Sequence, residues 1–219
     1  MTQSLPTQLL SESDTTQGYA TIMYMMLIHQ ARLAKDAALA PDLLQQVQLS
    51  QMSAEAWLGF QIVRDHCENR EDIRHMQALQ LFHDVHFSEV EARLRPGDWW
   101  ERVVKTYITI GSCHDFIDYI VERLGSANNS IPDEIAYFDY SLGHEQWVIE
   151  LVSNATRDTT LAPRLSLWGR RVAGDLIALL SLVAAQIPAL IPNKDVREQM
   201  HEYINTHHNE RMARAGLAG

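Results

Sequence analysis

The sequence predicts an all-α protein in which four long helices form a bundle and further helices pack outside it. Several long segments repeat apolar residues at the i, i+3, i+4, i+7 spacing of a helix that is buried along one side. No segment of useful length alternates apolar and polar residues as a strand does. The connections between the helical segments are short, which favours long antiparallel neighbours in a bundle.

Helix-capping and helix-breaking residues mark the ends of seven predicted helices. Asp14 or Thr15 can cap the first helix, and Pro41 suits the first turn of the second. Asp98 follows a Pro-Gly break and can cap the fourth helix, and Pro132 suits the first turn of the fifth. The predicted ranges are 14–39, 41–69, 71–94, 99–124, 132–155, 161–187 and 194–215.

The composition is that of a soluble globular protein. The chain has 219 residues, of which 46% are hydrophobic and 21% are charged. A chain of this length can bury a sizeable core in one domain. We therefore expect a flexible tail over residues 1–13 and one helical domain over residues 14–219.

The net charge and the cysteine content indicate which partners the chain can bind and which cellular compartment suits it. The formal net charge of −10 repels phosphate backbones and anionic lipid, so nucleic-acid binding is not expected. A local basic patch of Arg157, Arg164, Arg170 and Arg171, which lie close together in sequence, leaves a tRNA contact open. Cys67 and Cys113 have no metal-ligand spacing and form no disulfide framework. No signal peptide and no bilayer-spanning run is evident, so we expect a cytoplasmic protein without a membrane contact.

Helical spacing also predicts which side chains face the centre of the bundle. Most of them are apolar or small, and the exceptions are His29, His114, Ser141, His144 and the hydroxyl of Tyr107. The predicted inward residues are Ile22, Met26, His29 and Leu33 on the first helix; Leu49, Met52, Ala56, Gly59, Phe60 and Val63 on the second; Val103, Tyr107, Ile110, His114, Ile117 and Val121 on the fourth; and Phe138, Ser141, His144, Val148 and Leu151 on the fifth.

A bundle that binds two metal ions requires a different centre. It needs a Glu from each of two helices and a Glu-x-x-His pair from each of the other two, all of them pointing inward. None of the four predicted bundle helices contains Glu-x-x-His. Gly59, Gly111 and Gly143 fall within predicted helices, which indicates either a close approach of neighbouring helices or room for a small apolar ligand.

The sequence resembles a known family over roughly residues 18–217. The resemblance is carried by "DWWERVVKTYITIG", "HDFIDYIVERL", "GHEQWVIELV", "LSLWGRRVAGDLIALLSLVAAQ" and "HEYINTHHNERMARAGL". These segments are similar to the actinobacterial ferritin-like proteins that are grouped with the tRNA 2-methylthio-isopentenyl-adenosine hydroxylases. The resemblance implies a ferritin-like four-helix bundle of the up-down-down-up type with additional packed helices, and in some members a non-haem di-iron centre.

Most di-iron ligands of that family are replaced in this sequence. The helix-one carboxylate falls on Met26, the helix-two carboxylate and histidine fall on Ala56 and Gly59, and the two later acids fall on Ile110 and Ser141. Only the helix-five histidine is kept, as His144. The resemblance therefore implies a vestigial di-iron hydroxylase-like protein that has no functional metal site and needs no cofactor, and that acts through its surfaces as a homodimer.

Several alternatives stay open at this point. The chain could instead be an iron-dependent oxidoreductase or hydroxylase with ligands in other places. His29, His114 and His144 could converge on one zinc, iron or copper ion, as three-histidine sites do, although three separately satisfied histidines are the simpler interpretation. The histidines of the third and seventh predicted helices are interpreted as solvated polar faces. These are His75, His83, His86, His201, His207 and His208.

Overall fold

The computed structural model describes residues 10–68, 92–128, 131–156 and 160–218. Within these ranges the chain is helical and has no strand, so the predicted all-α class is confirmed. The predicted third helix, 71–94, lies almost entirely outside the described residues. The described helices are α1 (Glu12–Ala37), α2 (Leu43–Glu68), α3 (Trp99–Asn128), α4 (Asp133–Ala136), α5 (His144–Ala155), α6 (Leu161–Ala185) and α7 (Lys194–Arg214).

The long helix α3 is the centre of the packing. It contacts α1 and α5 and is also covered by α6 and α7, while α6 and α7 pack against each other. Helices α1 and α2 make the most extensive contact and are joined by only five residues, which makes them an antiparallel hairpin. The outer helices α6 and α7 are thus the additional helices that the sequence predicts.

Side-chain caps set the beginnings of the first three helices. Helix α1 starts two residues before the predicted start, because the Ser11 hydroxyl accepts a hydrogen bond from the Asp14 backbone N–H and the Asp14 carboxylate accepts one from the Ser11 backbone N–H. Helix α2 is capped by Asp42, which accepts from the Gln45 N–H at 2.9 Å, and not by a first-turn Pro41. Asp98 caps α3 as predicted, since its carboxylate accepts from the Glu101 N–H at 2.9 Å.

The prediction of one continuous helix over 132–155 is wrong. The chain forms the single turn α4, leaves the helical path after Ala136, and re-enters a helix only at His144. Leu142 and Gly143 both take left-handed backbone conformations, with φ of 57° and 60°. Two consecutive left-handed residues reverse the local path, so the side chains before α5 are not placed by the spacing of a straight helix.

The buried residues fill the space between all of these elements. One large apolar cluster joins α1, α3, α6 and α7, and a smaller one joins α1, α2, α3 and the turn before α5. The predicted inward residues are divided between the two clusters, and the smaller one consists of Leu33, Ala37, Leu49, Met52, Ala56, Ile110 and Leu142. No helix within the described part of the chain is both long enough and apolar enough to cross a bilayer.

Candidate functional site

Two histidines lie inside the bundle, as predicted. His29 of α1 is completely buried, and neither of its ring nitrogens has a hydrogen-bond partner among the described residues. Burial lowers the pKa of His29 to about 3, and the charges of Arg32, His144 and His114 act in the same direction. His144, the first residue of α5, is also buried, and burial lowers its pKa to about 3. Both imidazoles are therefore neutral near pH 7.

The other ligand positions of the predicted di-iron pattern carry no donors. Met26, Ala56 and Ile110 are all buried within the two apolar clusters. A Cβ atom added to Gly59 would come within 2.8 Å of the Phe138 ring and 3.1 Å of the Met26 sulfur. Gly59 therefore allows the close approach that the sequence predicts as one of two alternatives. The space beside Gly59 is filled by Phe138 and Met26 and leaves no room for a small apolar ligand there.

Ser141 does not point into the bundle, which corrects the prediction. Its hydroxyl bonds the Asp139 carboxylate at 2.5 Å in the turn before α5, and it borders a surface depression with Glu145 and Arg214. The adjacent Leu142 is buried in its place and packs with Ala56 and Ile110. The left-handed backbone at Leu142 is what turns this leucine inward.

His114 does not join the other two histidines in the core. Its side chain is 30% exposed, and its Nε2 atom lies 3.4 Å from the Asp118 carboxylate on the same face of α3. The prediction that His114 faces the centre holds only in part, because its side chain is partly exposed, although its charge still lowers the pKa of His29. Across the described ranges, no three His, Cys, Asp or Glu side chains are grouped so that they could hold a metal ion.

The residues at the centre do not fit a di-iron site. Such a site needs several carboxylates to neutralise and bridge two cations. The described centre offers a neutral imidazole from each of two helices and a shell of Met, Ala, Ile, Leu and Phe side chains.

Tyr107 of α3 links the core to the surface beside His144. The two rings are 6.0 Å apart, and the Tyr107 hydroxyl lies 3.2 Å from both the Glu145 carboxylate and the Arg211 carbonyl oxygen. Glu145 in turn pairs with Arg214 at 2.5 Å. Burial raises the pKa of Tyr107, followed by the nearby Glu145 charge, so the phenol stays protonated and serves as a hydrogen-bond donor.

A buried ion pair between α3 and α7 is the strongest polar feature that the sequence did not reveal. Arg211 pairs with Asp115, and both side chains are almost fully buried. Arg211 also donates to the Gly111 carbonyl oxygen at 3.0 Å, and His207 lies 3.5 Å from the Asp115 carboxylate. Burial raises the pKa of Asp115, while the Arg211 and His207 charges oppose that rise.

The histidines of α7 do not form a cluster, and the interpretation of them as a solvated polar face is wrong for His208, which is buried. His201 bonds the Ser181 hydroxyl of α6 at 2.8 Å, whereas His208 is buried and its pKa is lowered to about 4, first by burial and then by Arg211. His207 stacks edge-on against Tyr203. The predicted group of His75, His83 and His86 lies outside the described residues.

The cations of the chain are not arranged as the sequence indicated. Arg164 is neutralised by Asp98 at 2.5 Å and Glu101 at 2.8 Å, and Arg171 donates to the Arg93 carbonyl oxygen. Arg164 is thus neutralised, Arg171 keeps its charge, and Arg157 of the expected patch lies outside the described residues. A denser group of cations lies instead around a cavity between α1 and α3, and residue spacing alone gave no sign of it.

Comparison with known families agrees with this architecture. The model of a family described as a ferritin-like domain of actinomycetes matches residues 14–191. The chain belongs to this family. A search of curated proteins finds no match.

The family match covers α1 through α6 and ends before α7. All the predicted inward positions of this ferritin-like chain, including His29 and His144, therefore lie within the matched region. Arg211 and the rest of α7 lie beyond it, although they are packed on α3.

Proposed function

We propose that this ferritin-like protein is a non-catalytic relative of the di-iron hydroxylases that modify tRNA 2-methylthio-isopentenyl-adenosine. In this proposal the oxidising centre has been replaced by an apolar core, and the protein works by binding through its surfaces. The single observation that supports it is the contact of the Phe138 ring and the Met26 sulfur with Gly59, where the family pattern expects a metal-binding histidine.

The physical argument concerns the cost of keeping a metal site without its metal. Buried carboxylates that have no cation to bind are strongly unfavourable, whereas Met, Ala and Ile in the same positions gain stability from burial. Leu142 fits the same account, because a left-handed backbone at a leucine costs about 1 kcal/mol or more and is offset here by burying the side chain against Ala56 and Ile110.

Metal analysis tests the proposal directly. The full chain would be expressed in medium supplemented with iron, purified without chelators, and analysed for metals by mass spectrometry. We expect iron well below one atom per chain, and the same content in the His144→Ala variant and in a His201→Ala control. About two irons per chain, lost in His144→Ala but kept in His201→Ala, would overturn the proposal in favour of an iron-dependent hydroxylase.

We further propose that the protein is a homodimer that assembles through the outer face of α2. This face exposes a run of large apolar side chains, including Leu44, which is 83% exposed. Large apolar side chains that are exposed on one side of a helix commonly mark a protein interface. The other exposed members of the face are Leu43, Val47, Trp57 and Leu58.

The solution mass of the chain tests the dimer. Light scattering coupled to gel filtration should give about twice the chain mass for the wild type. A Leu44→Glu/Val47→Glu double variant should run as a monomer, because burying two carboxylates in an interface is costly. Leu167→Glu on α6, which is also exposed, serves as the control and should stay dimeric. A monomeric wild type would contradict this part of the proposal.

We place the protein in the cytoplasm, as a further part of the proposal. Its two cysteines, Cys67 and Cys113, are both buried and are not bonded to each other, which suits a reducing compartment. Burial raises the pKa of Cys113 to about 12, so this thiol is unreactive in the folded state.

A further inference from the structure

Helix α2 carries apolar side chains along two sides, and only one of these sides is buried. Leu49, Met52, Ala56 and Val63 are buried at the spacing of a helix side that faces the core. At 3.6 residues per turn, a second series falls on roughly the opposite side of the helix. This outer stripe consists of Leu44, Val47, Gln51, Ala54 and Leu58, which are exposed, and Gln61, which is half-buried.

The spacing of the outer stripe matches a reversed copy of itself. Successive members from Leu44 to Gln61 are separated by three, four, three, four and three residues. Alternation of three and four is the pattern of helices that pack side by side. Because this series reads the same in both directions, an antiparallel copy of α2 keeps all six positions level. The two copies then share a midpoint between Gln51 and Ala54.

The charge of this part of the chain favours a second copy as the partner. Residues 43–63 include one charged side chain, Glu55, in a chain whose net charge is −10. Two copies that meet through this stretch therefore avoid most of the like-charge repulsion between acidic molecules. A helix that lies on a membrane surface carries Lys and Arg on its polar side, and residues 43–63 contain neither.

Glu55 and the helix dipoles favour opposite directions for the two helices. In a parallel pair the two Glu55 side chains would lie at the same level. In the antiparallel register each Glu55 lies level with Ser50 of the other copy, which separates the two carboxylates by about 7.5 Å along the axis. The dipoles of two 26-residue helices also compensate each other when the helices run in opposite directions.

We propose that α2 packs against α2 of a second copy as an antiparallel helix pair centred between Gln51 and Ala54. The inference rests on the proposed homodimer and specifies how its two chains meet. Val47 of one chain packs against Leu58 of the other, and Gln51 lies beside Ala54, which is small enough to leave room for the amide. Gln51 donates to the Glu55 carboxylate at 3.0 Å within its own helix, so it keeps a hydrogen bond at the interface. A single polar residue in such a contact helps to fix the register.

Disulfide cross-linking of full-length variants tests the register and the direction. Under mild oxidation, a mixture of Val47→Cys and Leu58→Cys chains should form at least tenfold more covalent dimer than either variant alone. The two positions are level across the pair, whereas each lies about 16 Å along the axis from its own copy, too far for a disulfide. The unmodified chain and Leu167→Cys, at an exposed position of α6, are the controls and should form no covalent dimer.

The pattern of cross-links separates the arrangement from the dimer itself. Covalent dimer from Val47→Cys alone would indicate a parallel pair, and no covalent dimer from the mixture would place the contact elsewhere. Either result would overturn the proposal. Light scattering of the same samples gives the mass before oxidation. A mass of twice the chain without the expected cross-link contradicts this arrangement alone, whereas a monomer contradicts the proposed homodimer as well.

A bulky residue at the centre of the pair provides a second test. Ala54→Trp should raise the dissociation constant of the dimer at least tenfold, measured by sedimentation over a dilution series, because Gln51 of the other copy occupies the space beside Ala54. Ala178→Trp makes the same change at an exposed position of α6 and should leave the dissociation constant unchanged. Equal dissociation constants for the two variants would refute the central position of Ala54 and with it the register.

Discussion

The contact between Gly111 and Arg211 shows how one missing methyl group permits a buried ion pair. A Cβ atom on Gly111 would lie 2.4 Å from Arg211 Nε and 2.8 Å from its Cζ, so only glycine lets the guanidinium cross α3 and reach Asp115. Glycine within a helix costs about 1 kcal/mol relative to alanine. The helix accepts that cost because the pair satisfies two charges that are both buried.

Gly111→Ala should therefore destabilise the fold although alanine is the better helix former. We expect a loss of about 2 kcal/mol in the free energy of unfolding, measured by urea denaturation, since Arg211 must shift away from Asp115. Gly174→Ala is the matched control: Gly174 lies within α6 with nothing within 4 Å of an added Cβ, and this variant should gain about 0.5–1 kcal/mol. Equal stability of the two variants would contradict the steric account.

His29 makes the fold sensitive to acid. The unfolded histidine takes up a proton below about pH 6.5, whereas the folded one, with its pKa lowered to about 3, does not. The unfolded state therefore binds more protons in this window, and stability falls as the pH drops from about 6.5 toward 3. By pH 5 the loss from this residue is about 2 kcal/mol.

A His29→Leu variant isolates that effect. Its advantage in unfolding free energy over the wild type should grow by about 2 kcal/mol between pH 8 and pH 5, as measured by urea denaturation at both values. His144 keeps its own lowered pKa in both proteins, so its contribution cancels in the comparison. A stability difference that is the same at pH 8 and pH 5 would show that His29 is not neutral in the folded protein.

At the scale of secondary structure, helical periodicity predicted the long helices well and failed where the backbone turns. Ile22, Met26 and Leu33 on α1 and Met52 and Ala56 on α2 are buried as their spacing required. The prediction fails between α4 and α5, where the apolar residues keep their helical spacing in the sequence although the chain is not helical. Spacing cannot reveal a left-handed leucine, because the tertiary contacts of Leu142 select that conformation.

The same limit explains the misplaced site residues. A straight helix through 132–155 puts Ser141 inward, but the reversal at Leu142 and Gly143 puts Ser141 at the surface. His114 differs from the prediction for another reason: it lies at the edge of the buried side of α3, and spacing alone does not decide how far a residue at that edge is covered. The absence of metal-binding side chains at Met26, Ala56 and Ile110 was predictable, because it follows from the identity of each residue and its position around the helix.

We expect the turn into α5 to require a glycine at position 143 because of its backbone conformation alone. Its φ is 60°, and nothing lies within 4 Å of an added Cβ, so Gly143→Ala tests backbone strain without a clash. We expect a loss of about 1 kcal/mol in the free energy of unfolding. Gly174→Ala again serves as the control, because it also enters open space but has an ordinary helical backbone. If Gly143→Ala proved as stable as the control, the turn would have to be formed differently.

At the scale of the whole molecule, the limit of the family match is not the limit of the folding unit. The match ends at residue 191, yet α7 places Val196, Met200, Ile204 and Met212 in the same core cluster as α3 and α6. At about 2 kcal/mol for each buried side chain, these four contribute about 8 kcal/mol. That is comparable to the total stability of a typical domain.

Removal of residues 192–219 should therefore abolish cooperative folding. The loss of α7 uncovers apolar surface on α3 and α6, and it leaves Asp115 buried without Arg211. We expect the shortened chain to keep helical circular dichroism in the far ultraviolet, lose the near-ultraviolet signal and bind anilinonaphthalene sulfonate, as a molten globule does. Removal of residues 1–9, which precede the Ser11 cap, should leave all three signals unchanged. A shortened chain that unfolds in one sharp transition would mean that the matched region is stable alone, and that α7 with its Arg211–Asp115 pair is an addition to a complete bundle.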